Sequence, residues 1–186
     1  MARKARRSGS SRLAQGDIIR DVQQIEYAAE RSGELFISTL AFPAVIVLTQ
    51  DCDLEQDNSV RWPRVGANAS NDKLLLSVLV APLYNVEHVY TGTHLDAIGR
   101  TAQPINRNRS PGSNLRNNET PRYHYLDLGE QVPIPPSVID FKHYFSVNVE
   151  QLRRHKPSAF VCQLSSLYRE DVSQRFAAYL SRIGLP

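Results

Sequence analysis

The chain has 186 residues, of which 41% are hydrophobic and 22% are charged, and its formal net charge is +3. This length is enough for one domain with a hydrophobic core that needs neither a disulfide nor a metal ion. Two cysteines in such a chain do not predict a secreted disulfide scaffold, and no apolar stretch approaches the ~20 residues of a membrane helix. We therefore expect a cytoplasmic protein without a signal peptide, a membrane span or a cofactor.

The N-terminal segment is strongly basic, with Arg3, Lys4, Arg6, Arg7 and Arg12 among its first 12 residues and no acidic residue. Residues 13–186 carry 17 basic against 19 acidic residues, so most of the positive charge belongs to this segment. Such a charge run is either a solvated arm or a segment that neutralises the phosphates of a nucleic acid. We predict that residues 1–12 are disordered without a partner and that residues 13–186 form a single domain.

Short apolar segments separated by turn residues have the length and the β-branched composition of strands. They occupy residues 16–22, 35–40, 44–49, 73–82, 123–128, 138–147 and 159–164. Residues 22–29 fit a short helix or a strand equally well. Strands at this spacing predict either a small SH3-like β-barrel or a strongly bent antiparallel sheet.

The hydrophobic pattern becomes helical near the C-terminus. Ser165 or Ser166 can cap a helix there. The apolar residues that then share one helical face are Val172, Phe176, Tyr179, Leu180 and Ile183. An amphipathic helix packed on the sheet makes the predicted fold class α+β.

A second basic segment lies between residues 100 and 122, where Glu119 is the one acidic residue. Its basic residues are Arg100, Arg107, Arg109, Arg116 and Arg122. Prolines, a glycine and asparagines predict a long loop, and loops of this length in compact domains are usually functional or disordered. Arg107, Arg109 and Arg116 can hold phosphates together with the N-terminal segment, or they can simply be solvated.

An apolar strand that ends in Gln50-Asp51-Cys52-Asp53 places polar and nucleophilic groups at the end of a rigid element. We predict Asp51, Cys52 and Asp53 as candidate catalytic residues. The two carboxylates disfavour a thiolate at Cys52, so a nearby histidine is needed for nucleophilic catalysis. Structural capping and metal binding are the alternatives, although no cysteine pair has the spacing of a zinc motif, and we predict no metal.

Arg122 and His124 follow the arginine-rich loop and point to one side of the predicted strand at residues 123–128. Such a pair can present a cation and a general acid or base to a phosphate. Tyr84 offers a surface on which a base can stack. His143 shares one face of the predicted strand with Phe141 and Phe145, which favours a core position over a catalytic one.

Three motifs occur in the order seen in a known family. They are the opening Gly16-Asp17-Ile18, a proline before an aliphatic strand that ends in Thr49-Gln50-Asp51, and the later Val80-Ala81-Pro82-Leu83. Over residues 15–85 the chain resembles the MazF/PemK toxins. The resemblance implies an SH3-like barrel that binds and cleaves RNA. The family commonly has a catalytic arginine before the proline and a catalytic threonine after the Val-Ala-Pro-aliphatic segment, whereas this chain has Phe42 and Tyr84.

Two functions from different classes fit the sequence. The first is a nucleic-acid-binding protein of a bacterial toxin-like or phage-defence system, with RNA favoured over DNA and RNA cleavage as its activity if it is an enzyme. The second is a non-enzymatic partner protein in a defence or toxin–antitoxin complex. Loop arginines that converge on a groove beside Cys52 favour the first, whereas dispersed arginines with an exposed apolar patch favour the second. A third function, a hydrolase dependent on Cys52, requires a histidine within hydrogen-bond reach of the thiol.

Overall fold

The structure is a computed structural model that describes residues 4–7, 11–62 and 71–182. Its strands are β1 (Ala5–Arg6), β2 (Asp17–Arg31), β3 (Glu34–Val47), β4 (Ser77–Asn85), β5 (Tyr123–Leu126), β6 (Ser137–Asp140), β7 (Phe145–Asn148) and β8 (Phe160–Leu164). Its α-helices are α1 (Asp51–Arg61), α2 (Val86–Thr91), α3 (Val149–Ala159) and α4 (Ser166–Leu180). Short 3-10 helices occur at Asn71–Lys73, Asp96–Ile98, Gly112–Asn114 and Phe141–His143. The predicted α+β class is confirmed.

The strands form one antiparallel sheet in the order β1-β8-β2-β3-β4-β6-β5. Because β3 occupies one edge of β4, the other edge is shared: its first half pairs with β7 and its second half with β6. Among the described strands β1 and β5 do not pair with each other, so the sheet is open. Of the two predicted alternatives, the antiparallel sheet forms and the closed barrel does not.

Helices cover both faces of this sheet. Ile18 and Ile46 point to the face that α4 covers with Val172 and Phe176. On the opposite face, a second cluster joins the strand residues Ile19, Val45 and Val80 to Leu54 of α1 and Leu152 of α3. Continuous apolar runs such as residues 44–48 are typical of strands buried on both faces, and the sheet bears this out.

The C-terminal helix is confirmed as a packed element, with a narrower apolar face than predicted. Val172 and Phe176 are buried, whereas 51% of Leu180 is exposed. Tyr179 is partly buried and contacts the ring of Phe141. Ile183 lies outside the described residues.

The largest difference from the predicted strands is the hairpin formed by β2 and β3. The segments 16–22, 22–29, 35–40 and 44–49 form two long strands joined at Ser32 and Gly33, whose φ angles are 54° and 82°. Two left-handed residues give the turn that continues strand twist most easily. β8 pairs with β2 only up to Ile19, and β4 pairs with β3 only from Val45. Residues 21–41 therefore extend beyond the sheet, and we call them the hairpin arm.

The predicted strand at residues 138–147 is interrupted. Asp140 ends β6, and its carboxylate accepts a hydrogen bond of 3.0 Å from the backbone N–H of Lys142, which starts the 3-10 turn. The strand alternation used to place His143 in the core therefore does not apply. The side chain of His143 is 27% exposed, so the prediction of a core histidine is wrong.

Three helices, α1, α2 and α3, occupy segments without a predicted helix. The turn predicted at Gln50–Asp53 is the first turn of α1. Helix α3 starts at Val149 after its N-cap Asn148, whose side chain accepts hydrogen bonds of 3.1 Å from the N–H groups of Glu150 and Gln151. That cap is a local signal that a search for strands overlooks.

The basic N-terminal segment differs from the predicted disordered arm at the residues that the structure describes. Ala5 and Arg6 form β1 on β8, and the Arg6 guanidinium donates hydrogen bonds to Oε1 of Gln163. Lys4 lies with its ammonium 5.9 Å from the ring centre of Tyr168, and Arg7 is exposed. Arg3 lies outside the described residues.

Candidate functional site

The predicted strand-end residues lie in the first turn of α1. Asp51 accepts a hydrogen bond of 3.1 Å from the N–H of Gln15 and forms ion pairs with Arg12 at 3.1 Å and Arg169 at 3.4 Å. Burial opposes ionisation of Asp51, but the hydrogen bonds from Arg12 and Gln15 outweigh it and lower the pKa of this carboxyl. Asp51 thus ties α1 to the N-terminal segment and to α4.

Cys52 and Asp53 are exposed on the first turn of α1. The Cys52 Sγ lies 3.6 Å from Oε1 of Gln50 and 3.6 Å from Oδ1 of Asp53. Within the described part of the chain, no histidine bonds to the thiol, so the requirement for a cysteine hydrolase is not met. Residues 4–7, 11–62 and 71–182 also contain no cluster of three or more potential metal ligands.

The loop arginines bind acidic residues of the chain itself. Arg107 and Arg116 both contact the carboxylate of Glu87 on α2, Arg116 at 3.3 Å, and Arg107 also lies over the ring of Tyr90 at 4.3 Å. Arg100 binds Glu26 of the hairpin arm at 2.9 Å. These contacts fasten the loop to α2 and to the arm, and they do not converge beside Cys52.

The loop also has a core of its own. Leu115 is fully buried among residues of α2, β5 and β6, and the buried Gly112 accepts a hydrogen bond of 3.2 Å from the Tyr90 hydroxyl. A Cβ at Gly112 would lie 2.2 Å from the carbonyl oxygen of Asn106, which explains the glycine. Arg109 remains exposed on the surface of this folded loop.

Arg122 and His124 are not a pair. His124 is 1% exposed, and its Nε2 lies 4.0 Å from Oδ2 of Asp171 on α4. Burial lowers the pKa of His124 to about 4, so the ring is neutral near pH 7 and is closed off from a substrate. A catalytic role of His124 remains a prediction, and its buried position does not favour it.

Arg122 instead joins a network that centres on Asp140, a carboxylate with no solvent exposure. The Arg122 Nε and Nη2 donate to the two Asp140 oxygens at 2.8 Å and 2.5 Å. The Nδ1 of His143 lies 3.2 Å from Oδ2 of Asp140 and 3.2 Å from the Tyr84 hydroxyl. One buried carboxylate thus holds a guanidinium and an imidazole side by side.

The network favours one nitrogen of His143 as the base. The Asp140 carboxylate, 3.2 Å from Nδ1, favours a proton on that nitrogen, which then donates to the Tyr84 hydroxyl at 3.2 Å and leaves Nε2 as the acceptor. Burial lowers the pKa of His143, which favours the neutral imidazole. In the described part of the chain no hydrogen bond reaches Nε2, and the side chain is 27% exposed. His143 therefore has the geometry of a general base.

Tyr84 connects this network to an apolar cavity. Tyr84 is buried, its ring meets His94 edge-on at 5.0 Å between ring centres, and burial raises the pKa of its hydroxyl. It is therefore not the exposed stacking surface that we predicted. The cavity has a volume of about 370 Å³, and its mostly apolar wall includes Phe42, Leu83, Ile98 and Ile134. An apolar cavity beside titratable residues with shifted pKa values is a typical location for a binding site.

The hairpin arm carries five of the ten exposed large hydrophobic side chains among the described residues. The large apolar side chains of the arm are each between 47% and 67% exposed. They are Ile25, Tyr27, Leu35, Phe36 and Ile37. The register pairs Ile25 with Thr39 and Tyr27 with Ser38. Because paired residues point to the same face, Ile25, Leu35 and Ile37 share one face, and Tyr27 and Phe36 share the other.

Comparisons with known proteins do not assign the chain to a family. No protein-family model matches the sequence, and no curated protein matches it significantly. The resemblance to the MazF/PemK toxins therefore remains a prediction from the motifs of residues 15–85. None of the helices in the described ranges is both long and apolar enough to cross a membrane.

Proposed function

We propose that this chain is a protein-interaction component that docks a partner protein through the hairpin arm. The observation that carries the proposal is the arm itself, a two-stranded ribbon with large apolar side chains exposed on both faces. Monomeric proteins rarely expose a contiguous apolar surface of this kind, and a two-stranded hairpin alone is only marginally stable in water. A partner that covers the arm would bury its apolar side chains and stabilise the hairpin.

The distribution of the loop arginines supports this function over a nucleic-acid clamp. Glu87 forms ion pairs with both Arg107 and Arg116 and offsets one of their two positive charges, and Asp140 neutralises Arg122. Phosphates would have to compete with these carboxylates, which weakens the counterion-release contribution that drives nucleic-acid binding. Dispersed arginines together with an exposed apolar patch are the arrangement expected of a partner protein, and we propose a bacterial defence or toxin–antitoxin complex as its setting.

A triple variant tests the arm. Ile25→Ser, Leu35→Ser and Ile37→Ser make one face of the arm polar, and we expect loss of complex formation with little change in melting temperature, because these side chains are exposed. The readout is native mass spectrometry of the tagged chain purified from bacterial cells. The matched control replaces exposed leucines outside the arm, Leu76→Ser, Leu167→Ser and Leu180→Ser. Equal complex formation by the triple variant and the control contradicts the proposal.

The second candidate function is RNA binding and cleavage at the Arg122–Asp140–His143 network. The specific observation in its favour is the unbonded Nε2 of His143 beside a half-buried guanidinium. Nε2 would take the proton of a ribose 2′-hydroxyl, and the 2′-oxygen would bond to phosphorus as the bond to the 5′-oxygen breaks. The leaving 5′-oxygen would regain a proton from His143, while Arg122 would stabilise the charged phosphate.

Cleavage of single-stranded RNA tests this second function. His143→Gln is expected to lower the cleavage rate by about 10²-fold or more, because the general base is lost, while RNA affinity stays similar. DNA of the same sequence should bind without being cut, since it lacks the 2′-hydroxyl. His88→Gln, at an exposed position of α2, is the matched control. RNA cleavage that His143→Gln leaves unchanged, or no cleavage by the unmodified chain, removes this candidate.

A further inference from the structure

The hairpin arm and the remainder of the chain have opposite net charges. Residues 21–41 contain one basic residue, Arg31, and four acidic residues, Asp21, Glu26, Glu30 and Glu34, which give a net charge of −3. Because the whole chain has a net charge of +3, the other residues together have a net charge of +6. An acidic apolar arm on a basic protein is complementary in charge to the surface of a second copy.

The tip of the arm combines apolar and acidic groups. Leu35 is 67% exposed and Phe36 is 47% exposed, next to the turn at Ser32 and Gly33. The flanking Glu30 and Glu34 are exposed as well. A surface that receives this tip needs an aromatic or aliphatic floor and basic groups around it.

A cleft between α1 and α3 has this composition. Its volume is about 520 Å³, and its lining residues are Ser11, Arg61, Trp62, Glu150, Arg153, Arg154 and Pro157. Trp62 is 42% exposed, and the Arg153 guanidinium lies 3.1 Å from the centre of its ring. The Arg154 side chain is 81% exposed, and its guanidinium forms an ion pair of 3.2 Å with Glu150 of the same cleft, which leaves the arginines in excess. The cleft therefore offers an aromatic surface with two arginines near its rim.

We infer that the arm tip of one copy binds the Trp62 cleft of a second copy, and that the exchange is reciprocal. The inference rests on the proposed function, because it names the partner of the arm. Reciprocal exchange closes the assembly as a two-fold dimer, in which both arms are covered and no further copy can add. It pairs Glu30 and Glu34 with Arg153 and Arg154, and it places Leu35, which shares a face of the arm with Glu30, on Trp62.

A charge exchange between the two surfaces tests this inference. The first variant carries Glu30→Arg and Glu34→Arg, and the second carries Arg153→Glu and Arg154→Glu. Sedimentation velocity should show dimers for the unmodified chain and monomers for each variant alone, because like charges then meet at both contacts. An equimolar mixture of the two variants should form a heterodimer, since opposite charges are restored at both contacts. Arg109→Glu with Lys73→Glu, two exposed basic positions elsewhere, should remain dimeric.

The outcomes separate this inference from the proposed function. A chain that is monomeric at every concentration, variants that still dimerise alone, or a mixture that fails to associate overturns the second copy as partner. Circular dichroism of each variant verifies that a lost dimer does not reflect unfolding. If the chain is monomeric and the serine variant of the arm loses a different partner protein, the proposed function stands and only this inference fails. If the serine variant loses no complex of any kind, the proposed function fails.

Discussion

Replacing Lys156 with methionine is expected to lower the free energy of unfolding by about 3–5 kcal/mol. Lys156 is 4% exposed, and its ammonium donates to Oδ2 of Asp17 at 2.7 Å and to the carbonyl oxygen of Arg12 at 2.6 Å. Asp17 has no solvent exposure, and its other oxygen has no hydrogen bond. Methionine would keep the volume but would leave the buried carboxylate without its cation. Urea unfolding at neutral pH measures the loss.

Two further variants separate charge from packing in this prediction. Lys73→Met removes an exposed lysine and should change the free energy of unfolding by less than about 0.5 kcal/mol. Adding Asp17→Asn to Lys156→Met should recover part of the loss, because no charge then remains buried. Burial raises the pKa of Asp17. Acid pH should therefore protonate this carboxyl and reduce the loss of unfolding free energy in Lys156→Met. A single variant as stable as the unmodified chain would contradict the role of the ion pair.

The second large effect concerns the pH dependence of stability through His124. Its pKa is about 4 in the folded chain, against 6.5 for an ordinary histidine, because burial disfavours the charged ring. The unfolded chain therefore binds the proton first as the pH falls. The free energy of unfolding therefore falls as the pH drops from ~6.5 to ~4. The total loss that His124 causes is about 3 kcal/mol, and none of it occurs above pH ~6.5.

His124→Gln is the variant that isolates this effect. The difference in the free energy of unfolding between the unmodified chain and the variant should shift by about 3 kcal/mol in favour of the variant from pH ~8 to pH ~4. His88→Gln removes an exposed imidazole and serves as the matched control. A difference that stays constant over this range would mean that His124 does not remain neutral in the folded chain.

The positions at which the chain departs from the toxin pattern have a clear structural explanation. Phe42 is buried and stacks on Phe145, with 4.8 Å between ring centres. Tyr84 is buried against His94 and His143. Two positions that the resemblance associates with catalysis therefore hold core aromatic residues in this chain. If the protein cleaves RNA, the groups that do so must lie elsewhere, and the Arg122–His143 pair is the arrangement that we propose.

The elements that the sequence predicts well are those whose signal is local. The helix that starts at Ser166 is predicted because apolar residues at helical spacing lie within one short segment, although the Ser165 side chain makes no capping hydrogen bond. The apolar runs at residues 44–48 and 78–83 become central strands because their side chains have to be buried on both faces of a sheet. The sequence by itself thus determined the α+β class, the antiparallel pairing of short strands and the packed C-terminal helix.

The candidate site depended on contacts between residues far apart in the chain, which only the tertiary structure decided. Arg122 and Asp140 are 18 residues apart in the chain. The sequence predicts a phosphate-binding role for Arg122 and only a strand position for Asp140. The 3-10 turn at Phe141–His143 moved His143 out of the core and against Asp140. The sequence shows the charges of Arg107 and Arg116, but it does not show that both side chains form ion pairs with Glu87. The length of the hairpin arm likewise follows from where β8 and β4 stop pairing, because strand pairing is a property of the sheet and not of one segment.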